Sequence, residues 1–302
     1  VLLTSIISFI LFIFLLFPFG LLNQTISSVV SKQTGMLLDI KKINFSLPLS
    51  IEINKLKLSS KEDDQINLDH LSVGMRVIPL FTGDFKVYID IHDNFKGSMK
   101  SEVSFSIFSL LSGKNVIPQI VSLNSKSLSL DQFFKFILAT LSKSRDMNIM
   151  VKPILNSLSI EGKLDTDISL QLDALDINNS NGSAKINLKN FKFRSLDNPP
   201  IFPEQDFKKA EIRAALKDGV LAVDKSSELS SSDLSLKLGG KVIQQADISR
   251  SILDLEVNFE LRSILSEQYG FLIEAFTKKE GASRIDLKVK GPITPQPSIV
   301  IL

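Results

Sequence analysis

Apolar and polar side chains alternate with a period of two along most of the chain after Met36. The clearest alternating run begins at Leu158 and continues for about fifteen residues. Its apolar members are Leu158, Ile160, Leu164, Ile168, Leu170 and Leu172, and the polar members between them are Ser159, Glu161, Lys163, Asp165, Asp167, Ser169, Gln171 and Asp173. Because successive side chains of a strand point to opposite faces, this pattern predicts strands with one apolar face and one solvated face.

The stretch from Ile43 to Asn54 alternates in the same way, and it predicts one long strand or two strands separated at Pro48. Leu56 and Leu58 follow on the opposite parity, which predicts a bulge near Lys55. Further strands are predicted around residues 71–77, 85–91, 103–107, 186–193, 210–216, 221–223, 234–238, 253–261 and 285–289, with final strand signals at 299 and 301. The pattern is typical of a meandering antiparallel β protein.

Three short segments have a helical period instead. Residues 22–33 form an amphipathic pattern that ends at Gly35, and residues 133–141 follow a Ser129 capping signal. The second of these helices is expected to cover or plug the sheet. A third helix is predicted at 264–276, with Leu265, Tyr269, Leu272 and Phe276 in register.

The first stretch, Val1 to Leu22, contains no charged residue. As a helix it would reach roughly 33 Å, enough to cross a bilayer core of about 30 Å. Its length and the missing small-residue cleavage site favour an uncleaved transmembrane anchor over a signal peptide. The sequence therefore predicts a single-span anchor at 1–22 and a β-rich domain at 23–302, with an internal boundary near 145–157 or in the loop at 197–200.

The residues alone do not determine on which side of the membrane the β-rich domain lies. Lys32, Lys41 and Lys42 follow the span, and a positive-inside bias would place the body in the cytoplasm. Large domains nevertheless translocate with little regard to such charges.

Composition excludes several function classes. The net charge is +2, and no Arg/Lys cluster with interleaved aromatic residues occurs, so we expect no nucleic-acid binding. The chain has no cysteine, which excludes disulfides, thiolate nucleophiles and Cys-ligated zinc.

No catalytic, cofactor-binding or metal-binding residue is predicted. His70 and His92 each lie beside an aspartate, but a metal site needs three or more converging ligands, so we interpret them as exposed strand or loop residues. The Asp165–Asp167 pair lies on a wholly polar strand face and is interpreted as solvated. No Gly-x-Ser-x-Gly, Walker or Gly-x-Gly-x-x-Gly motif is present. The apolar sheet face remains, and it must be covered by its own layers, by helices or by lipid chains.

Several loose motifs resemble one known family in their order. They are the stretch Ile43 to Leu58, the turn Val77-Ile-Pro-Leu-Phe-Thr-Gly83, the strand signatures Ile160 to Leu164 and Leu238-Gly-Gly-Lys-Val242, and the final Val289-Lys-Gly-Pro-Ile293 followed by Pro297. With the N-terminal span, this order resembles the long form of the type II secretion system protein N family, which is AsmA-like in pattern. Asn94-Phe-Lys-Gly97 departs from the family by having fewer glycines.

The resemblance implies a transmembrane helix followed by a long, curved antiparallel sheet that forms a groove or an open barrel. It also implies a bacterial inner-membrane protein whose bulk lies in the periplasm and whose partners are proteins of the type II secretion apparatus. A structural or interaction role, not catalysis, is the first functional prediction. The alternative is an AsmA-like protein that binds lipid acyl chains or transfers lipids between the inner and outer membranes.

Overall fold

The structure is a computed structural model, and it describes residues 27–28, 31, 37–46, 50–59, 65–112, 118–132, 134, 157–173, 177–196, 203–245, 250–293 and 298–301. These residues form one open antiparallel sheet of fifteen strands with a few short helices. The mainly β class and the antiparallel meander predicted from the alternation are therefore confirmed.

The strands are β1 (Leu37–Ser46), β2 (Ser50–Ser59), β3 (Gln65–Arg76), β4 (Asp84–Asp93), β5 (Ser98–Ser106), β6 (Ile120–Ser129), β7 (Leu158–Gln171), β8 (Asn181–Ser195), β9 (Gln205–Phe207), β10 (Lys209–Lys217), β11 (Val220–Ser230), β12 (Leu234–Ile243), β13 (Ile252–Leu261), β14 (Arg284–Pro292) and β15 (Ser298–Ile301). The described helices are α1 (Ile107–Ser112), α2 (Ser263–Thr277) and two 3₁₀ helices at Ile78–Thr82 and Ile177–Asn179.

Each strand pairs with the next strand in the chain, except that β9 and β10 lie one after the other along β8. The strand order therefore follows the sequence from β1 at one edge to β15 at the other. With neighbouring strands about 4.8 Å apart, the sheet extends roughly 60 Å from edge to edge. Its two edge strands do not pair with each other in the described part of the chain.

The register keeps apolar residues opposite one another from strand to strand. Leu236 lies opposite Leu229 on one side and Phe259 on the other, and Phe259 lies opposite Ile285. Since a slip of one residue would turn the apolar set of a strand to the other face, the apolar pattern fixes this register.

The Ile43–Asn54 alternation is divided between β1 and β2, as the second of the two alternatives predicted. The bulge predicted near Lys55 does not occur there as a shift in register. Lys55 adopts a positive φ of 55° without a register slip to either neighbour. The slip instead falls between β3 and β4 at Leu68 and His70, where Asp69 is the extra residue.

Three elements differ from the sequence-based prediction. Ile107, expected at the end of a strand, is the first residue of α1. Strand β6 was not predicted, because its alternation is weak and is broken by a register shift between Ser125 and Leu128. These two differences fall in serine-rich stretches, where side chains carry little periodic signal. Strand β9 was also not predicted, because three residues are too few to show an alternation.

Most of the fully buried apolar side chains gather in three separate clusters, and Leu128 and Leu216 are buried outside them. The first, around Ile53 and Leu56, lies on β1–β3, and the second, around Phe191 and Phe207, lies on β8–β10. The third joins Leu261 of β13 to Leu265 and Ile273 of α2. The helix expected at 264–276 is therefore confirmed and packs on the sheet.

Other predictions fall largely outside the described residues. The anchor at 1–22 and the loop at 197–200 lie outside them, as does the boundary near 145–157 apart from Ser157. Only Ser27, Ser28 and Ser31 of the first helix and short parts of the second are described, and these are helical. In the described part, no helix has the length and apolar content to cross a bilayer.

Candidate functional site: the apolar sheet face and the cleft under α2

One face of the sheet is apolar from β4 to β15, and we call it the apolar face. Its members include Ile89, Ile91, Val103, Leu123, Ile168, Leu170, Ala184, Ile186, Ile212, Ala214, Leu221, Val223, Leu236, Leu238, Leu253, Leu255, Val257, Phe259, Ile285, Leu287, Val289, Ile299 and Ile301. These side chains are partly buried or exposed, whereas Leu128, Leu216 and Leu261 on the same face are fully buried. A second packed layer of this protein would bury such residues, so the face is incompletely covered by the described residues.

A wide apolar cleft lies on this face at its C-terminal end, with a volume of about 690 Å³. Its floor is formed by β12–β15 and its roof by α2. The lining is almost wholly hydrocarbon: Leu236, Val257, Phe259, Leu261, Leu265, Tyr269, Ile273, Phe276, Ile285, Leu287, Ile299 and Ile301. A cleft of this size and chemistry lies within the range of small-molecule sites, but it contains no group for acid–base or nucleophilic chemistry apart from the Tyr269 hydroxyl.

The opposite face is polar and is crossed by ion pairs between neighbouring strands. Lys189 lies 2.5 Å from Asp165, Arg194 lies 2.6 Å from Glu161, and Lys185 lies 3.2 Å from Glu211. These pairs account for the charged half of the alternation on β7, β8 and β10.

Asp165 therefore lies in the polar face, as predicted, but with specific partners. Its partial burial acts to raise the pKa, while hydrogen bonds from Lys189 and from the Ser127 amide outweigh burial and place the pKa of Asp165 below its ordinary value. The carboxylate is held ionised in a structural contact. Asp167, on the same strand face, is exposed.

The two histidines are brought together, which the sequence did not indicate. His70 on β3 lies directly opposite His92 on β4, and their ring centres are 5.8 Å apart. His70 Nδ1 lies 3.1 Å from the Asn54 Oδ1, and His92 Nε2 lies 3.2 Å from an Asp90 oxygen. Within the described part of the chain, no three His, Cys, Asp or Glu side chains are arranged to hold a metal ion.

Asp93 is a buried carboxylate that the sequence analysis did not single out. Only 3% of its surface is exposed, and it accepts hydrogen bonds from the amides of Phe95, Gly97 and Ser129 at 2.6–2.9 Å. A side chain at Gly97 would lie 2.5 Å from this carboxylate and from the Ser127 carbonyl. These close contacts explain why position 97 of the turn is a glycine.

An exposed apolar cluster projects from one end of the sheet, and we call it the apolar tip. It comprises Ile78 and Phe81 of the first 3₁₀ helix and Phe108 and Leu111 of α1, each about 80% exposed. Gly83, with φ of +89°, ends the 3₁₀ helix, and its carbonyl accepts a hydrogen bond from Ile107 that joins the two connections.

The sequence predicted the apolar face from alternation but missed the cleft, the histidine pair and the apolar tip. All three features depend on the strand register or on where a helix packs, and the spacing of residues along the sequence does not reveal either. Comparison of the chain with known proteins gave no matching family model, no matching curated protein and no matching solved structure.

Proposed function

We propose that this protein binds the acyl chains of lipids along the apolar face and has no catalytic activity. In this proposal, residues 1–22 anchor it in the inner membrane of a bacterium, and the sheet lies in the periplasm as a curved, AsmA-like groove for lipid transfer between the inner and outer membranes. The observation that carries the proposal is the apolar face, which the described residues bury only partly over most of eleven neighbouring strands of the main path.

Energetics support an occupant on this face. Contiguous exposed apolar patches larger than a few hundred Å² are rare on soluble monomers and mark interaction sites. At about 25 cal/mol per Å², covering 400 Å² of such a patch is worth roughly 10 kcal/mol. Hydrocarbon chains suit a surface that offers area and very few hydrogen-bonding groups.

Lipid content of the purified full chain tests the proposal. Val223 and Ala222 are neighbours on β11 that point to the apolar and polar faces respectively. Native mass spectrometry should show bound lipid on the unmodified protein, and Val223→Asp should reduce it several-fold, because a charge among acyl chains is poorly solvated. Ala222→Asp, which lies opposite Lys241 on the polar face, is the matched control and should retain the lipid.

Absence of lipid from the unmodified protein, or an equal loss in both variants, would contradict acyl-chain binding at this face.

A structural role in the type II secretion apparatus is the second candidate. The family resemblance supports it, and the apolar tip offers a surface for a protein partner. If this role is correct, the double change Phe81→Ser and Phe108→Ser should reduce secretion and cross-linking to secretion proteins. Phe95→Ser, at an exposed phenylalanine in the turn at the other end of β4, is the control. Normal secretion by the double variant would count against this role.

A further inference from the structure

A small pocket lies beside the β4–β5 turn, where strands β3 to β6 begin or end, and its volume is about 120 Å³. Its walls are apolar side chains from these four neighbouring strands: Ile66, Leu68, Ile91, Met99 and Leu128. Its polar lining consists of Asp93, Ser129 and Gln132. Because Ile91 and Leu128 also belong to the apolar face, the pocket joins that hydrocarbon surface to a polar end.

The polar end of the pocket presents hydrogen-bond acceptors. Gln132 is only 7% exposed, and its Nε2 donates a hydrogen bond to the Asn94 Oδ1 at 2.8 Å. The Gln132 Oε1 is buried and has no hydrogen-bond partner. Since a buried acceptor without a donor is costly, this atom indicates an occupant that donates hydrogen bonds.

Asp93 adds a second acceptor and a negative charge. The amides of Phe95, Gly97 and Ser129 donate to its carboxylate, which has roughly four acceptor positions, so one remains. A phosphate or carboxylate in the pocket would be repelled by this charge. A positively charged donor would be paired with it, as a buried charge requires.

The size and the walls of the pocket restrict the occupant further. An apolar cavity of about 150 Å³ holds one benzene molecule, so a pocket of about 120 Å³ admits a group of only a few heavy atoms. Water would satisfy the Gln132 Oε1 but would gain nothing from the hydrocarbon walls. A short alkyl group that ends in an ammonium satisfies both the walls and the acceptors.

We propose that this pocket binds the primary ammonium of a lipid head group, with the N–H groups donating to the Gln132 Oε1 and to the Asp93 carboxylate. The acyl chains of the same lipid lie along the apolar face. This inference rests on the proposed lipid binding and adds the chemistry of the head group. A trimethylated ammonium has the same charge but no N–H donor, so the pocket discriminates against it.

Competition between two phospholipids tests the proposal. The full chain in detergent micelles would be incubated with equal amounts of phosphatidylethanolamine and phosphatidylcholine that carry identical acyl chains. These lipids share the phosphate and differ only in three N-methyl groups. Native mass spectrometry should show that the protein retains phosphatidylethanolamine over phosphatidylcholine by about fivefold or more, since only the first lipid satisfies the buried acceptors.

Two substitutions at one position locate the preference. Gln132→Met removes the Oε1 acceptor with little change in side-chain length, and it should reduce the preference to less than about twofold. Gln132→Glu places a second carboxylate in the pocket and should increase the preference. Gln171→Met makes the first change at an exposed residue at the end of β7, and this control should retain the preference.

Equal retention of the two lipids by the unmodified protein would overturn the proposal and leave acyl-chain binding at the apolar face intact. An undiminished preference in Gln132→Met would also overturn it, because the size of the head group would then be the cause. If Gln132→Met does not fold, Gln132→Glu decides, and an unchanged preference there would overturn the proposal. Retention of neither lipid would overturn both this inference and the proposed function.

Discussion

Asp93 shows how a single buried residue holds three strands together. Its carboxylate accepts backbone hydrogen bonds within the β4–β5 turn and from Ser129 at the end of β6. Hydrogen bonds to a charged acceptor are stronger than neutral ones, and a buried donor left without an acceptor costs about 1–3 kcal/mol. The turn therefore depends on a carboxylate that points into the sheet and not into solvent.

Asp93→Asn should lower the free energy of unfolding by about 2 kcal/mol, because the new amide NH₂ faces a backbone N–H that loses its acceptor. Urea unfolding of the full chain checks this value. Asp69→Asn is the matched control, since Asp69 is exposed on β3, and a change within about 0.5 kcal/mol is expected there. Equal stability of Asp93→Asn and the control would contradict the structural role of Asp93.

At the scale of the element, pairs of strands on the polar face are linked by charge. Glu228 of β11 accepts a hydrogen bond from Lys209 of β10 at 2.8 Å. This hydrogen bond lowers the pKa of Glu228 below its ordinary value, and partial burial opposes it only in part. Because the folded-state pKa lies below the unfolded value of about 4.3, the contribution is full above that pH and is lost as the pH falls through the folded-state pKa.

Lys209→Met should therefore raise the pKa of Glu228 and flatten the decline of stability below about pH 4.3. The measurements are an NMR titration of the Glu228 carboxyl and urea unfolding at several pH values. Lys208→Met, at the neighbouring position, is the control and should leave the Glu228 titration unchanged. An unaltered Glu228 pKa in Lys209→Met would show that the ion pair does not form in solution.

Helix α2 is the element that creates the cleft, and its inner side chains hold it on the sheet. Leu265 is 6% exposed, whereas Phe271 on the outer side is 62% exposed. Leu265→Ala should lower the free energy of unfolding by about 2 kcal/mol. This value is near the lower limit for leucine-to-alanine substitutions in a core, because Leu265 also lines the open cleft. Phe271→Ala should have little effect.

Amide hydrogen exchange across α2 distinguishes these cases. Faster exchange throughout α2 in Leu265→Ala, but not in Phe271→Ala, is the expected result. Unchanged protection in Leu265→Ala would mean that α2 is held by contacts other than those with Leu261 and Ile273.

Helices and strands with a clear hydrophobic period could be predicted from the sequence. Contacts between elements that are distant in the sequence could not. The alternation from Leu158 predicted β7 and its two faces because no other local structure has a period of two. The helical spacing of Leu265 and Tyr269 predicted α2 but not its resting place on β13 and β14. The His70–His92 contact follows only from the β3–β4 register, which itself shifts at Asp69.

At the scale of the molecule, one open sheet about 60 Å long separates an ion-paired face from an apolar face. Its described apolar side chains form small buried clusters and a long, partly buried surface, in place of one compact core. The proposed anchor at 1–22 and the proposed lipid binding on the apolar face assign different tasks to different parts of the chain. The apolar face is central to this account.

Photo-crosslinking along the sheet tests that claim most directly. A photoreactive phenylalanine analogue would be placed in the full chain, in cells, at adjacent positions on opposite faces: Ile89 with Asp90, Val223 with Ala222, and Val257 with Glu256. The account predicts lipid adducts at Ile89, Val223 and Val257 and almost none at their polar-face neighbours. Adducts that form equally on both faces, or no lipid adduct at any of the three apolar positions, would contradict it.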